Sequence, residues 1–297
     1  PCLPPCRERG LDTAKVAAST PSSTYITNVA HRHVNSQAIR MLFEENTERR
    51  WRFRVEMTQL TCEHEGTIFR APNGGIKSAE RKVRCVSTVL YRPFEDEDFE
   101  PLVEIVRTLW HDDDGVPDAA FGTLEATCDL AHCLSVSTFS QVALIDGAPR
   151  GIILARSEND YNQDLSRWAT IEAKSACAMD SYDAQAAHTF QTWYDGMRKV
   201  DERLLASSGL TLDNEITLLV VDPSAQGLGI GTVLFDAVSS YYAALGDLKA
   251  YLYTDSDCRW SFYEFRGMKR LGRYKSTREE RSLLPREMYL YGLDLSA

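Results

Sequence analysis

The period of the apolar positions changes along this chain, and each change marks an element. VSTVLYRPF, from Val86, reads as a strand ending at Pro93. EDEDFEPLVEIVRTLW sets Phe99, Leu102, Val103, Val106 and Leu109 on the apolar face of a helix. Its first turn is acidic, where the helix dipole favours negative charge. A second helical stretch covers 117–133. FSQVALIDGAPRGIILAR holds two apolar runs around Asp146-Gly147, the chemistry of a tight hairpin turn. Residues 157–209 contain helix-compatible stretches, clearest in TFQTWYDGMRKVDERLLAS, within a connection long enough to build something over a site. NEITLLVV then reads as a buried strand, TVLFDAVSSYYAALG as a helix, KAYLYTD as a strand, CRWSFYEFRG as a helix and REMYLYGLDL as a last strand. This order predicts a mixed α/β fold, helices packed on one central sheet.

Ahead of Val86 the pattern loosens. PCLPPCRERG and the Ser/Thr-rich stretch after it hold no sustained period, NSQAIRMLFEENTERRWRFR reads as one short helix, and PNGG at 72–75 as a turn. Residues 1–85 are expected to be an N-terminal extension, largely disordered, joined to a folded domain over 86–297 with a helical insertion at 157–209. The charge changes at the same place: residues 1–88 carry an excess of +5 and the remainder one of −15. An accessory lid, a homodimer contact and an over-long reading frame are the other readings of the extension.

The chain has 297 residues, 43% of them hydrophobic, enough for one substantial core or two smaller ones. Its net charge of −10 argues against a general nucleic-acid binder, which needs a basic surface. Cys2, Cys6, Cys62, Cys85, Cys128, Cys133, Cys177 and Cys258 are scattered in a chain too long to need disulfide staples. That usage suits reduced thiols and a cytoplasmic location. There is no run of 18 apolar residues, so no membrane-spanning helix is expected. Cys128, His132 and Cys133 supply three ligands without a distant fourth, and no metal site is expected.

The sharpest chemical signal is VVDPSAQGLGIGTVLF. Gly227, Gly229 and Gly231 stand at a strand-to-helix junction, where convergent backbone amides and the helix dipole favour an anion the size of a phosphate. A nucleoside-triphosphate loop needs a Lys that is absent here. The spacing GxGxG also departs from the dinucleotide fingerprint GxGxxG. A structural turn with glycines for close packing stays open.

This loop resembles the acyl-coenzyme-A pyrophosphate loop of the GNAT superfamily of N-acyltransferases. Three further stretches are similar to that family in the same order: LYRPFEDEDFEPLVEIV, FSQVALIDGAPRGIILAR and YLYTDSDCRWSFYEFRGM. The resemblance spans about 86–295. It implies a GNAT-like central, mostly antiparallel sheet, with acetyl-CoA as cosubstrate and direct attack of a primary amine on the thioester. The acceptor is a small-molecule or peptide amine, with no nucleic-acid or membrane partner. The resemblance places the pantetheine arm on the backbone of Leu219, Val220 and Val221, and the pyrophosphate on the amides of Gln226, Gly227, Leu228, Gly229, Ile230, Gly231 and Thr232. Tyr263 is the implied acid for the departing thiolate, and Glu215 the implied base for the amine. A packing role for Tyr263 and plain surface charge for Glu215 stay open beside these. Asp213, Asp222, Asp255 and Asp257 are reserve carboxylates. Ser256 and Arg259 stand where many relatives carry Asn and Ala, and Ser256 is kept as a cofactor contact. Trp168, Tyr182, Trp193 and Tyr194, with Glu172, Asp180, Asp183 and Asp195, either line an acceptor cleft or form the core of a helical subdomain. A second function class, a coenzyme-A-binding regulatory or sensory module without turnover, remains beside the enzyme.

Overall fold

The computed structural model describes residues 40–45, 51–56, 89–113, 115–161, 165–210 and 214–296. Its strands are β1 (Arg40–Glu45), β2 (Trp51–Glu56), β3 (Val89–Arg92), β4 (Phe139–Ile145), β5 (Ala148–Arg156), β6 (Glu215–Val221), β7 (Lys249–Asp255), β8 (Lys269–Lys275) and β9 (Glu287–Asp294). Its helices are α1 (Phe99–Trp110), α2 (Ala119–Val136), α3 (Leu165–Tyr182), α4 (Ala184–Ser208), α5 (Ile230–Leu245) and the single turn α6 (Ser261–Phe265). The strands form one sheet in the order β1-β2-β3-β4-β5-β6-β7-β9-β8. Neighbours run antiparallel except β6 and β7, which are parallel.

The β4–β5 hairpin turns on Asp146 at φ 52° and Gly147 at φ 81°, the two left-handed residues of a type I′ turn. Each face of the sheet has its own cover. On one face α5 presents Leu234, Phe235, Val238 and Tyr242 to Ile153, Ile216, Leu252 and Tyr291. On the other, α1 and α2 bury Leu102, Val106 and Leu130 against Val142, Ile152, Leu154 and Leu218. Farther along that second face α4 sets Val200 and Leu204 on Tyr251, Met288 and Leu290. Asp183 starts α4 by accepting the N–H groups of Gln185 and Ala186, and Gly209, at φ 74°, ends it.

The structure corrects the reading of 35–54 as a helix. The described part of that stretch forms β1 and β2, which pair antiparallel with each other, and β2 continues onto β3 through Val55↔Tyr91. Trp51, Phe53 and Val55 alternate with Arg52, Arg54 and Glu56, a period of two that overrides helix-compatible composition. The PNGG turn lies outside the described residues. KRLGRYK, which carries too little apolar signal to be read as a strand, is β8. It is an edge strand rich in Lys and Arg, the composition that keeps an open edge from pairing with other chains. Among the described residues no helix is long and apolar enough to cross a membrane.

Candidate active site

The site begins with a fault in β6. The β5–β6 register runs Leu154↔Leu218 and then Ala155↔Ile216, so Thr217 is an extra residue, a β-bulge. Its hydroxyl meets that of Ser137 at 2.7 Å, and its carbonyl lies 3.7 Å from the Cys133 thiol, so α2 holds the bulge from above. Before the bulge β6 meets β7 at Glu215↔Tyr251, where Tyr251 N–H donates to Asn214 O. Beyond it β6 stays paired with β5 as far as Gly151↔Val221, whereas no further β6–β7 register pair is formed among the described residues. The two parallel strands diverge there.

The ladder decides which backbone groups face that gap. Asp222 N–H donates to Arg150 O, and in an antiparallel pair the bonded positions alternate. Leu218 and Val220 therefore turn their amides and carbonyls to β5, while those of Leu219 and Val221 turn toward the gap. Of the three residues named from the sequence, Val220 is committed to the sheet.

At the far end of β6, Asp222 accepts the N–H of Ser224 at 2.8 Å and pairs with Arg150 at 2.7 Å. Burial raises its pKa, but the Ser224 hydrogen bonds and the Arg150 charge outweigh it and hold the carboxyl below the usual range. The chain then passes Gln226, Gly227 at φ 84° and Gly229 at φ 78°, the N-cap of α5. Only glycine adopts these angles without strain. A Cβ on either would meet nothing within 4 Å, so this surface is open. Gly231 differs. It has no left-handed backbone, and a Cβ there would stand 3.7 Å from Phe262, an ordinary contact. Leu228 lies exposed between the glycines, and Ile230 is buried as the anchor of the helix. The first turn of α5 carries no acidic side chain. The N–H groups of Ile230 and Gly231 in this turn have no acceptor within the helix, so the loop suits a phosphate, whereas Thr232 N–H donates to Gly229 O and Gln226 N–H to Pro223 O. Arg259 reaches across to Gln226 at 3.3 Å. Ser256 sits in a different turn, its hydroxyl accepting Glu287 N–H at 3.2 Å while Asp257 lies at its other side.

Two chemical groups lie on the two faces of the sheet. On the α5 face, Tyr263 packs on Phe262 and Tyr291 at ring separations of 5.5 and 6.1 Å. Loss of solvent, then the neighbouring Cys258 and Asp255, push its phenol well above the free value. On the opposite face Glu215 lies 2.7 Å from Arg156, which also donates to the Tyr251 hydroxyl at 3.3 Å. Tyr251, Tyr253 and Asp255 alternate onto this face of β7.

Sequence reasoning missed Asp201. Burial, followed by the charges of Glu215, Asp255 and Glu202, raises this α4 carboxyl to about 8. Its one sequence signal is an acid between Val200 and Leu204 on the packing stripe of a helix. Asp255, a reserve group from the sequence, belongs to the same cluster. Asp257 lies outside at the surface, and Asp213 is outside the described residues.

Of the aromatic residues of 157–209, Trp168, Phe190, Trp193 and Tyr194 pack into the helical core. Trp168 stacks on Phe99 at 5.0 Å, and Phe190 packs with Trp193 and Tyr194. Tyr182 is exposed and bonded to Asp118, Glu172 pairs with His132, Asp195 pairs with Arg198, and Asp180 is exposed. Burial drives the Cys258 thiol up to about 12, far from a reactive thiolate.

Residues 156–268 match the family described as Acetyltransferase (GNAT) family. No curated protein matches the sequence. Among solved structures, the chain is similar to the ribosomal-protein-S18-alanine N-acetyltransferase of Escherichia coli, 11% identical with a TM-score of 0.40, covering 71% of this chain and 96% of that one. It is similar to Ard1 from Thermoplasma volcanium, 15% identical with a TM-score of 0.40, covering 70% and 99% of the two chains. A GNAT-family acetyltransferase from Streptococcus pneumoniae is 12% identical with a TM-score of 0.38, covering 70% and 99%. The diverging parallel strands β6 and β7 and the glycine loop all lie within the segment, 156–268, that matches the GNAT-family model.

Proposed function

We propose that the protein transfers an acetyl group from acetyl-CoA to a primary amine by direct attack on the thioester. The observation that carries this reading is the divergence of β6 from β7 beneath a loop whose two left-handed glycines open α5. Acetyl-CoA supplies the activated acyl carbon. In this reading the loop from Gln226 to Thr232 holds the pyrophosphate through the amides of Gly227 to Gly231, those of Gln226 and Thr232 being bonded to Pro223 O and Gly229 O, and the backbone of Leu219 and Val221 pairs with the pantetheine arm. The amine approaches from the α4 face and loses a proton to the carboxylates there, Glu215 first among them, directly or through water. Its lone pair forms the new N–C bond as the C–S bond breaks. Tyr263 gives a hydrogen bond or proton to the leaving sulfur. Its raised pKa suits that task, because the phenol stays protonated at neutral pH. A nucleophilic enzyme intermediate has no support, since Cys258 is held as a thiol.

The test is calorimetric titration of acetyl-CoA into the full chain, followed by free-thiol release with a panel of amines. Binding with amine-dependent thiol release is the expected result. Binding without release from any amine transfers the assignment to a regulatory coenzyme-A module. Absence of binding reduces the glycine loop to a structural turn.

A further inference from the structure

β6 changes phase at Thr217, and the packing on its two faces records the change. Leu218 and Val220 lie in the core beneath α1 and α2, while Leu219 and Val221 pack on the α5 side. Strict alternation back along the strand would set Ile216 beside Leu218, on the α2 face. Ile216 is instead buried in the α5 core, opposite Ala155. The backbone switches with the side chains. Asn214 O accepts Tyr251 N–H on the β7 side, and regular alternation from there would turn Leu218 and Val220 to β7 as well. It is Leu219 and Val221 that face the gap, because Thr217 takes up the extra position. Drawn into the ladder, Thr217 would shift one half of β6 by a residue and reverse either Glu215 and Ile216 or Leu219 and Val221. The hydrophobic pattern opposes that slip only weakly. LLVV is apolar on both faces, and a β-branched Thr is at home in a regular strand.

A closed ring of hydrogen bonds keeps Thr217 out. The Ser137 hydroxyl gives its one proton to Cys133 O at 2.6 Å. In its 2.7 Å contact with the Thr217 hydroxyl it therefore accepts, and Thr217 donates. The Cys133 thiol donates in turn to Thr217 O at 3.7 Å, which returns the ring to its start. Thr217 is thus held by its side chain and its carbonyl together. Ser137, the C-cap of α2, is only 5% exposed, and α2 itself is fixed by Leu130 and Leu134 against the sheet. A small buried network in which each donor has an acceptor specifies one arrangement where apolar packing tolerates two.

We propose that Ser137 and Thr217 are positioning residues for the coenzyme: the ring they close with Cys133 sets the phase of β6 and so decides which backbone groups meet the pantetheine arm. This rests on the acetyl-CoA reading above and assigns two further side chains to that site. Neither touches the reacting atoms. They act through Leu219 and Val221, whose amides and carbonyls are available to the arm only while Thr217 stays outside the ladder. With the phase reversed, the arm would meet a strand whose hydrogen-bonding groups are already spent on β5.

The experiment titrates two ligands separately into the full chain and its variants: acetyl-CoA, and 3′-phospho-ADP, the coenzyme-A nucleotide without its pantetheine arm. Thr217→Val keeps the shape of the side chain and removes its O–H. It should weaken acetyl-CoA about 10-fold, the scale of one hydrogen bond, and leave the nucleotide within about 2-fold of wild type. Ser137→Ala should do the same. The double variant should lose no more than the stronger single, because the two hydroxyls form one link. Thr217→Ser keeps the O–H and should bind acetyl-CoA within about 3-fold of wild type. Retained nucleotide binding shows that a variant is folded, and if Ser137→Ala fails to fold, the two Thr217 variants decide the matter. A ring with a merely structural role would lower Tm and leave the ratio of the two affinities unchanged. That result overturns the proposal, as do equal losses of both ligands, an additive double variant or no rescue by Thr217→Ser. The measurement needs no turnover, so it reads the ring even in a coenzyme-A-binding protein that transfers nothing. A wild-type chain that binds neither ligand removes the acetyl-CoA reading and this one with it, whereas tight wild-type binding with an unchanged ratio in the variants removes the ring alone.

Discussion

Arg156 holds Glu215 at 2.7 Å and the Tyr251 hydroxyl at 3.3 Å, so a single guanidinium ties β5, β6 and β7 together at the last point where β6 and β7 meet. The pair therefore has two duties. It fixes the apex of the strand gap, and it sets a guanidinium against the carboxyl beside the position proposed for the amine. Replacing Arg156 by Gln should cost about 1–3 kcal/mol, between the values for exposed and buried pairs. The expected outcome is a lower Tm and a lower kcat with coenzyme-A affinity little changed, read by calorimetry alongside steady-state kinetics. A loss of coenzyme-A binding equal to the loss of kcat would argue that Arg156 supports the whole sheet rather than the acceptor side.

Tyr263 stands on the α5 face, opposite the carboxylates. With its phenol held protonated, Tyr263→Phe removes one O–H and almost no packing area. The expected fall in kcat is about 10- to 10⁴-fold at near-constant cofactor affinity. An unchanged kcat returns Tyr263 to the role of a packing side chain against Phe262 and Tyr291.

The glycines separate by backbone conformation. Gly229 has φ 78° and caps α5, whereas Gly231 has ordinary helical backbone with its nearest obstacle, Phe262, at 3.7 Å. Gly229→Val should strain the loop by about 1–2 kcal/mol or more and weaken acetyl-CoA binding at least about 10-fold. Gly231→Ala should bind within about 3-fold of wild type, because it gains helix propensity without a clash. Equal effects at the two positions would mean that bulk rather than backbone conformation governs the loop.

His111, buried at the end of α1, bridges Glu125 at 3.1 Å and Asp129 at 2.8 Å. Burial alone would lower its pKa. The hydrogen bonds and charges of the two carboxylates prevail and raise it to about 9. A histidine raised in the folded state contributes stability that is fully present below its unfolded value near 6.5 and is lost as pH rises through about 9. Thermal melts should therefore show a Tm falling between pH 7 and 10. In His111→Leu, which strands the buried Glu125 and the half-buried Asp129 at a cost of about 3–5 kcal/mol near neutral pH, that segment of the profile should flatten. The same slope in variant and wild type would assign the pH dependence to other groups.

How far each element was legible depends on the range of the forces that make it. The β4–β5 hairpin, the α5 junction and β6 announce themselves within a few residues, through Asp146-Gly147, the left-handed glycines and an apolar run ended by Pro223. Steric limits on φ act locally, so a reader of the chain can apply them. β1 and β2 were harder, because RMLFEENTERRWRFR suits a helix in composition and only the alternation of Trp51, Phe53 and Val55 speaks for strands. β8 was harder still. Its residues alternate between exposed and half-buried at the sheet edge, and its pairing with β9 supplies what its own apolar content does not.

The acceptor side shows the limit most clearly. Glu215 and Tyr263 were marked by their positions in short motifs, and Asp201 by no motif at all. The order of residues was enough for the glycine loop, the strands around it and the presence of an acid and a phenol near the gap. Folding alone brought Asp201 from α4 up to Glu215 and Asp255, moved Val220 out of the gap and left Leu219 and Val221 facing it. The reason is physical: φ preferences and side-chain periods are properties of neighbouring residues, whereas desolvation and Coulomb interaction depend on distance through space, which is fixed only when helices and sheet have packed.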